Sequence, residues 1–511
     1  MLFNSISFIF YFLPPVLIGY YVLGGKSSFA SRLWLFISSV VFYSMWNPRY
    51  VVLLLGSMIF NYLVGLWIRK NDSLVALWVG LAGNLLALCY FKYLFVTLQF
   101  LDRFGLLHVA ANPILLPLGI SFFTFTQIGY LIDSQAGMVK ESNLLDYANF
   151  VTLFPNLIAG PILHHREVMP QLKNVSTYRL KPENLSVGLT VFVVGLSKKV
   201  LIADRLAPAA EHGFASAHVV GAGDAWIAVV CYSLQLYFDF SGYSDMAIGL
   251  AKMFGIGFPL NFNSPYTAVN IIDFWQRWHM TLTRYITLYI FNPLVLSATR
   301  RRLAKRLPVG NAALSDPRGF VELLAIPLLV TMGLAGVWHG AGLQFVIYGL
   351  LHGTYLIVNH AWRAFGPTHV VQASRFRKYI AIVGSVLLTY FAVLVGFVLF
   401  RADSLSDAMA LYGAMIGWSH AAAGALSLRG WLLANEGQIS LIVVGLAIVW
   451  FTPNIYNLLG RYSPALTKVP ETRWTWLEWR PEPQWALAMA ALFFVSIVFL
   501  QNTSKFLYFQ F

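Results

Sequence analysis

Apolar runs of membrane-spanning length recur from one end of this chain to the other, and that recurrence limits the fold more than any single motif. Residues 6–23, 33–47, 50–68 and 74–98 each read as a helix closed by a charge or a turn, the second short for a full crossing. Backbone polar groups cannot go unpaired in hydrocarbon, so such runs become helices. Only 11% of the 511 residues are charged and 58% are hydrophobic, against about 25% and roughly 45–50% in soluble domains. No polar block is long enough to fold as a separate soluble domain. The expected fold is an all-α polytopic membrane protein, one integral domain over residues 1–511.

The formal charge of +14 would suggest nucleic acid in a soluble protein. Here the cations sit in short loops between apolar runs, which marks cytoplasmic loops and argues against a nucleic-acid partner. No Lys or Arg precedes Lys26, so the positive region of a cleavable signal is missing. Lys26 and Arg32 follow the first run and predict an outside N-terminus. Cys89 and Cys231 lie in apolar stretches and read as small core residues.

Polar interruptions mark where the chain departs from plain crossings. The segment 113–132, opening with Asn112-Pro113, is too polar to face lipid all round, and 154-FPNLIAGPILHH-165 reads as a re-entrant or broken helix. Residues 164–184 form a basic loop, expected in the cytoplasm. The helix over 185–203 carries Lys198 and Lys199, which read either as interfacial, ion-paired lysines or as a patch for an anionic donor. In 237-YFDFSGYSDMAIGLAKMFG-255, Asp239 and Asp245 suit hydrogen bonds to neighbouring helices, and nothing near them argues for metal. The cationic runs 300-RRRLAKR-306 and 375-RFRK-378 bracket two apolar segments, 320–338 and 341–361. Both flanks on one side require an even number of crossings, so the pair is a hairpin with Trp338-His339-Gly340 near its tip, toward the outer side. Helices over 379–400, 438–458 and 485–501 follow; 405–418 is too short to cross. Trp474, Trp476, Trp479 and Trp485 read as an interfacial belt.

Most of the eleven histidines need no chemistry. His108, His212, His218, His369 and His420 fall in loops or segment ends. His164 and His165 are adjacent, so they are expected to point apart and make a poor metal pair; no zinc spacing occurs, and no metal site is expected. His352 and His360 read as satisfied polar groups in a bundle. His339 lies between Trp338 and Gly340, with Gly336 and Gly342 nearby, in an apolar setting where an ionisable group is costly. It is a structural histidine or a general base for a hydroxyl attacking an acyl carbonyl. His279 lies in 274-FWQRWHMTLTRY-285; on one continuous helix Trp275, Trp278, His279 and Leu282 would share a face, as they would on an interfacial helix.

Taken in order, 154-FPNLIAGPI-162, 195-GLSKKVLIADRL-206, 236-LYFDFSGYSDMAIGLAKMFG-255, 261-NFNSPY-266, 274-FWQRWHMTLTRY-285, 336-GVWHGAG-342 and the C-terminal run Phe506 to Phe511 resemble the membrane-bound O-acyltransferase superfamily, in its bacterial alginate O-acetylation branch. The resemblance implies a bundle of roughly 10–13 transmembrane helices plus re-entrant or broken helices around a buried chamber. It maps the family's histidine onto His339 and its second site residue onto His279. Trp338, Trp278, Trp275, Arg277, Asn261, Asp239, Lys198 and Lys199 become candidate substrate-binding residues. It further implies acetyl-CoA as donor with no permanent cofactor, a bacterial inner-membrane location with a periplasmic N-terminus, and a periplasmic hydrolase-like acetyltransferase as partner. The acceptor would be an exopolysaccharide, reached directly or through that partner. Related members continue after the first histidine with an RDY-type turn and PLGG, whereas this chain reads 286-ITLYIFNPLVL-296, which puts the acceptor or partner in question. A transporter or flippase, or a non-catalytic scaffold, are the rival readings.

Overall fold

The structure, a computed structural model, describes residues 1–103, 105–106, 115–139, 143–366, 374–418, 428–472, 474–500 and 507. His108, His369, His420, the Asn112-Pro113 opening and nearly all of the C-terminal run from Phe506 lie outside them. Among the described residues six helical stretches are long and apolar enough to cross a membrane: Ser7–Gly24, Arg49–Asn71, Leu74–Lys92, Pro182–Ala215, Pro317–His339 and Arg375–Arg401. Glu436–Phe451 and Pro483–Phe499 are shorter apolar helices. The fold is an all-α polytopic membrane protein.

The chain divides into two compact units. The first comprises Met1–Leu201, Phe240–Leu260 and Pro453–Gln510. Inside it, helices Arg49–Asn71 and Leu74–Lys92 are tied by a reciprocal amide pair, Asn61 and Asn84, whose two bonds are 3.2 and 2.6 Å. A buried polar pair satisfied this way adds specificity where apolar packing alone gives little direction. The Pro- and Gly-bearing segment is broken as expected: Leu144–Thr152 and Phe154–Leu157 are helical, 158–163 are not, and all of 154–163 is buried inside protein. Gly119 adopts φ +72°, and a Cβ there would stand 2.4 Å from the Leu157 carbonyl, so only glycine admits the broken segment so close. Trp479 leaves the expected interfacial belt. It is buried, with its ring edge-on to Tyr462 at 4.9 Å, whereas Trp476 is exposed.

The second unit comprises Ile202–Asp239, Asn261–Thr452 and Phe511. Its centre is the expected hairpin: Ile326–His339 ends one residue before Gly340, and Leu343–Phe365 begins three later. The two helices cross at Gly336 and Gly349, where an added Cβ would come within 2.2 Å of the Phe345 and Met332 carbonyl oxygens respectively. Small residues at a crossing let backbones meet, the usual substitute in lipid for a hydrophobic driving force. Arg302, inside the cationic run 300–306, turns inward: it is buried, bonds Glu322 at 2.7 Å and donates to the Pro308 carbonyl. The changed stretch after His279 forms a π-helical turn, Thr287–Phe291, leading into Asn292–Ala304.

Candidate active site

The 274–285 segment is not the single helix that its spacing predicts. Helix Ile271–Trp275 stops, and Met280–Ile286 starts afresh with His279 as its N-cap in the left-handed region, φ +42° and ψ +50°. The one-face alignment of Trp275, Trp278, His279 and Leu282 therefore does not hold. What wins over helix propensity is the irregular run from Asn261 to Asn263, which takes backbone bonds that a continuous helix would use. The Met280 amide donates to the Asn261 carbonyl at 2.9 Å, and the Asn263 amide to the Arg277 carbonyl at 2.9 Å. A non-glycine residue in this conformation costs of order 1–3 kcal/mol and persists only where its surroundings impose it.

Asn261 also fixes the imidazole. Its Oδ1 lies 3.0 Å from His279 Nδ1 and accepts from the Thr281 hydroxyl at 2.8 Å and the Thr281 amide at 3.4 Å. A backbone amide can only donate, so the atom facing it is the oxygen, and His279 Nδ1 must then carry the proton. The basic nitrogen of neutral His279 is Nε2. His279 is 1% exposed, its ring stacked 6.3 Å from Phe262 and tilted 6.4 Å from Trp338.

His339 neighbours the same tryptophan. Its ring stands 4.9 Å from that indole, 4.9 Å edge-on to Phe400 and 6.2 Å from Tyr348. Both histidines thus neighbour one tryptophan ring within a buried aromatic cluster, despite 60 residues of separation in sequence. Trp278 packs in the same cluster against Phe262, Tyr266 and Phe397. Trp275 donates its indole N–H to His352 Nδ1 at 3.3 Å, and His352, fully buried, meets Tyr348 edge-on at 4.6 Å. Gly396 makes room for it, since a Cβ there would lie 2.5 Å from His352 Nε2. The sequence reading of a satisfied polar group holds only for His352 Nδ1; Nε2 is buried with no hydrogen-bond partner. Nothing local to His352 marks Trp275, 77 residues away, as its partner.

The remaining candidates divide. Arg277 bonds Asp273 at 2.7 Å and reaches the Thr267 hydroxyl at 3.4 Å, and Asp239 is buried within the helix Ala222–Met253. Lys198 and Lys199 belong to the other unit. Lys199 is buried, and Lys198 Nζ lies 2.6 Å from Asp245 Oδ2, while the Tyr456 hydroxyl donates to Oδ1 of the same carboxylate at 2.8 Å. Removing the cation would strand a buried carboxylate. Lys198→Ala is expected to cost about 3–5 kcal/mol, seen as a large fall in the detergent melting temperature, and Lys198→Met with Asp245→Leu should recover most of it.

His164 and His165 do not point apart. Their rings lie 4.7 Å from each other, and both reach Asp133 Oδ2, His164 through Nε2 at 2.7 Å and His165 through Nδ1 at 3.0 Å. Adjacent residues converge here because helix His165–Lys173 begins between them: His164 is the extended N-cap and His165 the first helical residue. The three side chains are of metal-ligand type and their ligand atoms fall within 4.8 Å of one another. Both contacts to Asp133 are shorter than the roughly 3.3 Å that 2.0–2.1 Å bonds to a tetrahedral ion would set, though His165 Nδ1 makes no hydrogen bond there. His164 Nδ1 accepts from the Arg166 amide at 3.5 Å, which leaves the His164 proton on Nε2, facing the carboxylate.

A family model described as the membrane-bound O-acyltransferase family matches residues 120–309. A peptidoglycan O-acetyltransferase of Helicobacter pylori is 38% identical, covering 82% of this chain and 80% of its own. A probable alginate O-acetylase of Pseudomonas putida is 36% identical over the whole of both chains. A teichoic acid D-alanyltransferase of Bacillus subtilis is 28% identical over 55% of this chain and 68% of its own.

Proposed function

Because the chain belongs to the membrane-bound O-acyltransferase family and is an O-acyltransferase, we propose that it moves acetyl from acetyl-CoA toward a hydroxyl of a cell-envelope polysaccharide, with His339 as general base. The observation that carries this reading is that His279 and His339 both neighbour one ring, Trp338, in a buried aromatic cluster. A buried imidazole near a reacting hydroxyl can take its proton as the oxygen attacks the thioester carbonyl. The tetrahedral oxyanion then collapses, the C–S bond breaks, and the proton held by His339 passes to the leaving thiolate. Atoms and charge balance with no permanent cofactor.

The tautomer that Asn261 imposes refines the second role. Neutral His279 presents Nε2 as an acceptor, so it suits orienting the attacking hydroxyl. Donors for the oxyanion must come from elsewhere, and Trp338, whose ring neighbours both histidines, carries an indole N–H suited to that role. The basic loops argue for donor entry from the cytoplasm of a bacterial inner membrane, with the N-terminus periplasmic. The relatives named for polymer acetylation support a polysaccharide acceptor, reached directly or through a periplasmic acetyltransferase. Inverted membrane vesicles given acetyl-labelled acetyl-CoA should release free coenzyme A and build an alkali-labile acetyl ester on protein partner or glycan. Coenzyme A release no higher than in vesicles lacking the protein overturns the donor assignment.

A further inference from the structure

Helix Pro483–Phe499 is loosely packed within the protein: of its 17 residues, Ser496 alone is buried. It runs beside helix Pro182–Ser197 of the same unit, and a groove of about 550 Å³ lies between them, within the usual range of small-molecule sites, about 300–1,000 Å³. Side chains gain little by closing such a gap in a membrane, because lipid tails are as apolar as they are. What fills it is then decided by shape and by the groups at its rim.

Both walls follow helical spacing. Ser186, Leu189, Thr190 and Val193 line one side at offsets of three, four and seven, and Thr190 turns its hydroxyl to the Ser186 carbonyl at 2.8 Å, so its polar atom is already satisfied. Ala486, Met489, Ala490 and Phe493 repeat those offsets on the other side, where the two alanines leave the space and the Phe493 ring stands 6.2 Å from Phe10. Seven residues of helix rise about 10 Å, so each apolar stripe runs about that far in the direction that acyl chains take. The rim is charged. Arg480 and Glu482 line it, both exposed, and Arg480 also pairs with Glu478 at 3.3 Å, so one guanidinium stands among two carboxylates. Glu482 is the N-cap of helix Pro483–Phe499, yet its side chain accepts no bond from the first turn. Trp485 lines the groove just inside, an amphipathic ring of the kind found at headgroup level. Ser186 lies near the start of the helix that follows the basic loop over 164–184, so on the loop-charge reading the rim meets the cytoplasmic leaflet.

We propose that this groove holds one zwitterionic phospholipid, a phosphatidylethanolamine, with an acyl chain between the two helices, its phosphate on Arg480 and its ammonium on Glu482. Charge selects the headgroup. A phosphate beside an ammonium matches a guanidinium beside a carboxylate, whereas two carboxylates against one cation disfavour phosphatidylglycerol, whose head carries only the phosphate charge. Phosphatidylcholine matches the charges, but its quaternary ammonium has no N–H to donate to Glu482. The bound chain supplies helix Pro483–Phe499 with the packing that the protein itself does not give it.

The full-length protein, delipidated in detergent, is titrated with phosphatidylethanolamine, phosphatidylcholine and phosphatidylglycerol of the same acyl chains, and bound lipid is read by native mass spectrometry. Wild type should retain one phosphatidylethanolamine at least about threefold more tightly than either competitor, the scale of a partly exposed charged pair. Glu482→Gln should bring phosphatidylethanolamine down to the level of phosphatidylcholine. Ala490→Phe fills the groove and should abolish retention of the lipid; Ala490 is exposed, so the variant is expected to fold. Should its melting temperature fall more than lipid loss produces in delipidated wild type, Ala486→Leu, also at an exposed position, is the milder block with the same expected result. Equal retention of the three lipids by wild type, or preference for phosphatidylglycerol, overturns the headgroup assignment and the proposal with it. Undiminished phosphatidylethanolamine in both groove-filling variants overturns the location. A loss of dimers in those variants with lipid retained gives the groove to a second copy of the chain, and also overturns the proposal.

Discussion

Replacing His339 by alanine is expected to lower acetyl transfer by about 10²–10⁴-fold, the usual contribution of a positioned general base. The loss should fall on kcat, because the imidazole acts on the proton that moves in the transition state and adds little to ground-state binding. His339 is packed edge-on against Phe400 and beside Trp338, so truncation also leaves a void, and a shape-conserving change is the better control. His339→Gln keeps most of the volume and a polar atom but cannot accept and return a proton at neutral pH. Acetyl ester formed per unit of membrane-inserted protein is the measurement. Transfer within threefold of wild type in both variants would remove His339 from the chemistry and leave it the structural histidine that its apolar setting also allows.

The parts of this fold that were legible in the sequence are those set by lipid. The hairpin tip at Trp338-His339-Gly340 came from counting charged flanks, because positive loops and hydrocarbon thickness constrain topology without reference to side-chain packing. The break in 154–163 is legible for the same reason: Pro155 suits only a helix start, Gly160 weakens a helix and Pro161 ends one, and an unpaired backbone must then be buried in protein. What failed depended on residues distant in sequence. His279 fits a helical face by spacing, and only the Asn261–Asn263 run, which captures the Met280 and Arg277 backbone groups, forces it into the left-handed region. His164 and His165 were expected to diverge because neighbours in a regular element do, but a helix start between them turns both rings to Asp133. Arg302 looks like one more loop cation, and nothing local says that Glu322 waits for it.

The choice between enzyme and transporter followed the same line. Broken helices with polar residues at depth suit either function, and periodicity cannot separate them. The relatives named for group transfer, two of them at 36–38% identity over most or all of the chain, decide for the enzyme. The stretch 286–296, where the chain leaves the pattern of related members, runs from the last residue of the helix that His279 caps through the π-helical turn into Asn292–Ala304. Its π-helical turn keeps Thr287 occupied, the hydroxyl bonding the Thr283 carbonyl at 2.7 Å, so the changed residues act on the geometry of the helix that leaves the site.

Asn261 carries the second large effect. Its side chain touches His279 and Thr281, which makes it a positioning residue, and its backbone holds the segment that breaks the helix. Asn261→Ala removes the acceptor that keeps the His279 proton on Nδ1. The ring is then free to carry its proton on Nε2 or to tilt, and a misplacement of the order of 1 Å at a reacting group costs about 10²-fold. Asn261→Asp keeps an oxygen in place for His279 Nδ1–H and the Thr281 hydroxyl and should recover most of that loss. A residue that only supported folding would give the opposite order, since a buried carboxylate is costlier to accommodate than a methyl group. Steady-state transfer at several acetyl-CoA concentrations separates the cases: kcat should fall in Asn261→Ala with the donor KM within about twofold, and rise again in Asn261→Asp. Equal losses in the two variants, tracking a lowered melting temperature, would reduce Asn261 to a structural bond and remove the reason for assigning His279 its acceptor tautomer.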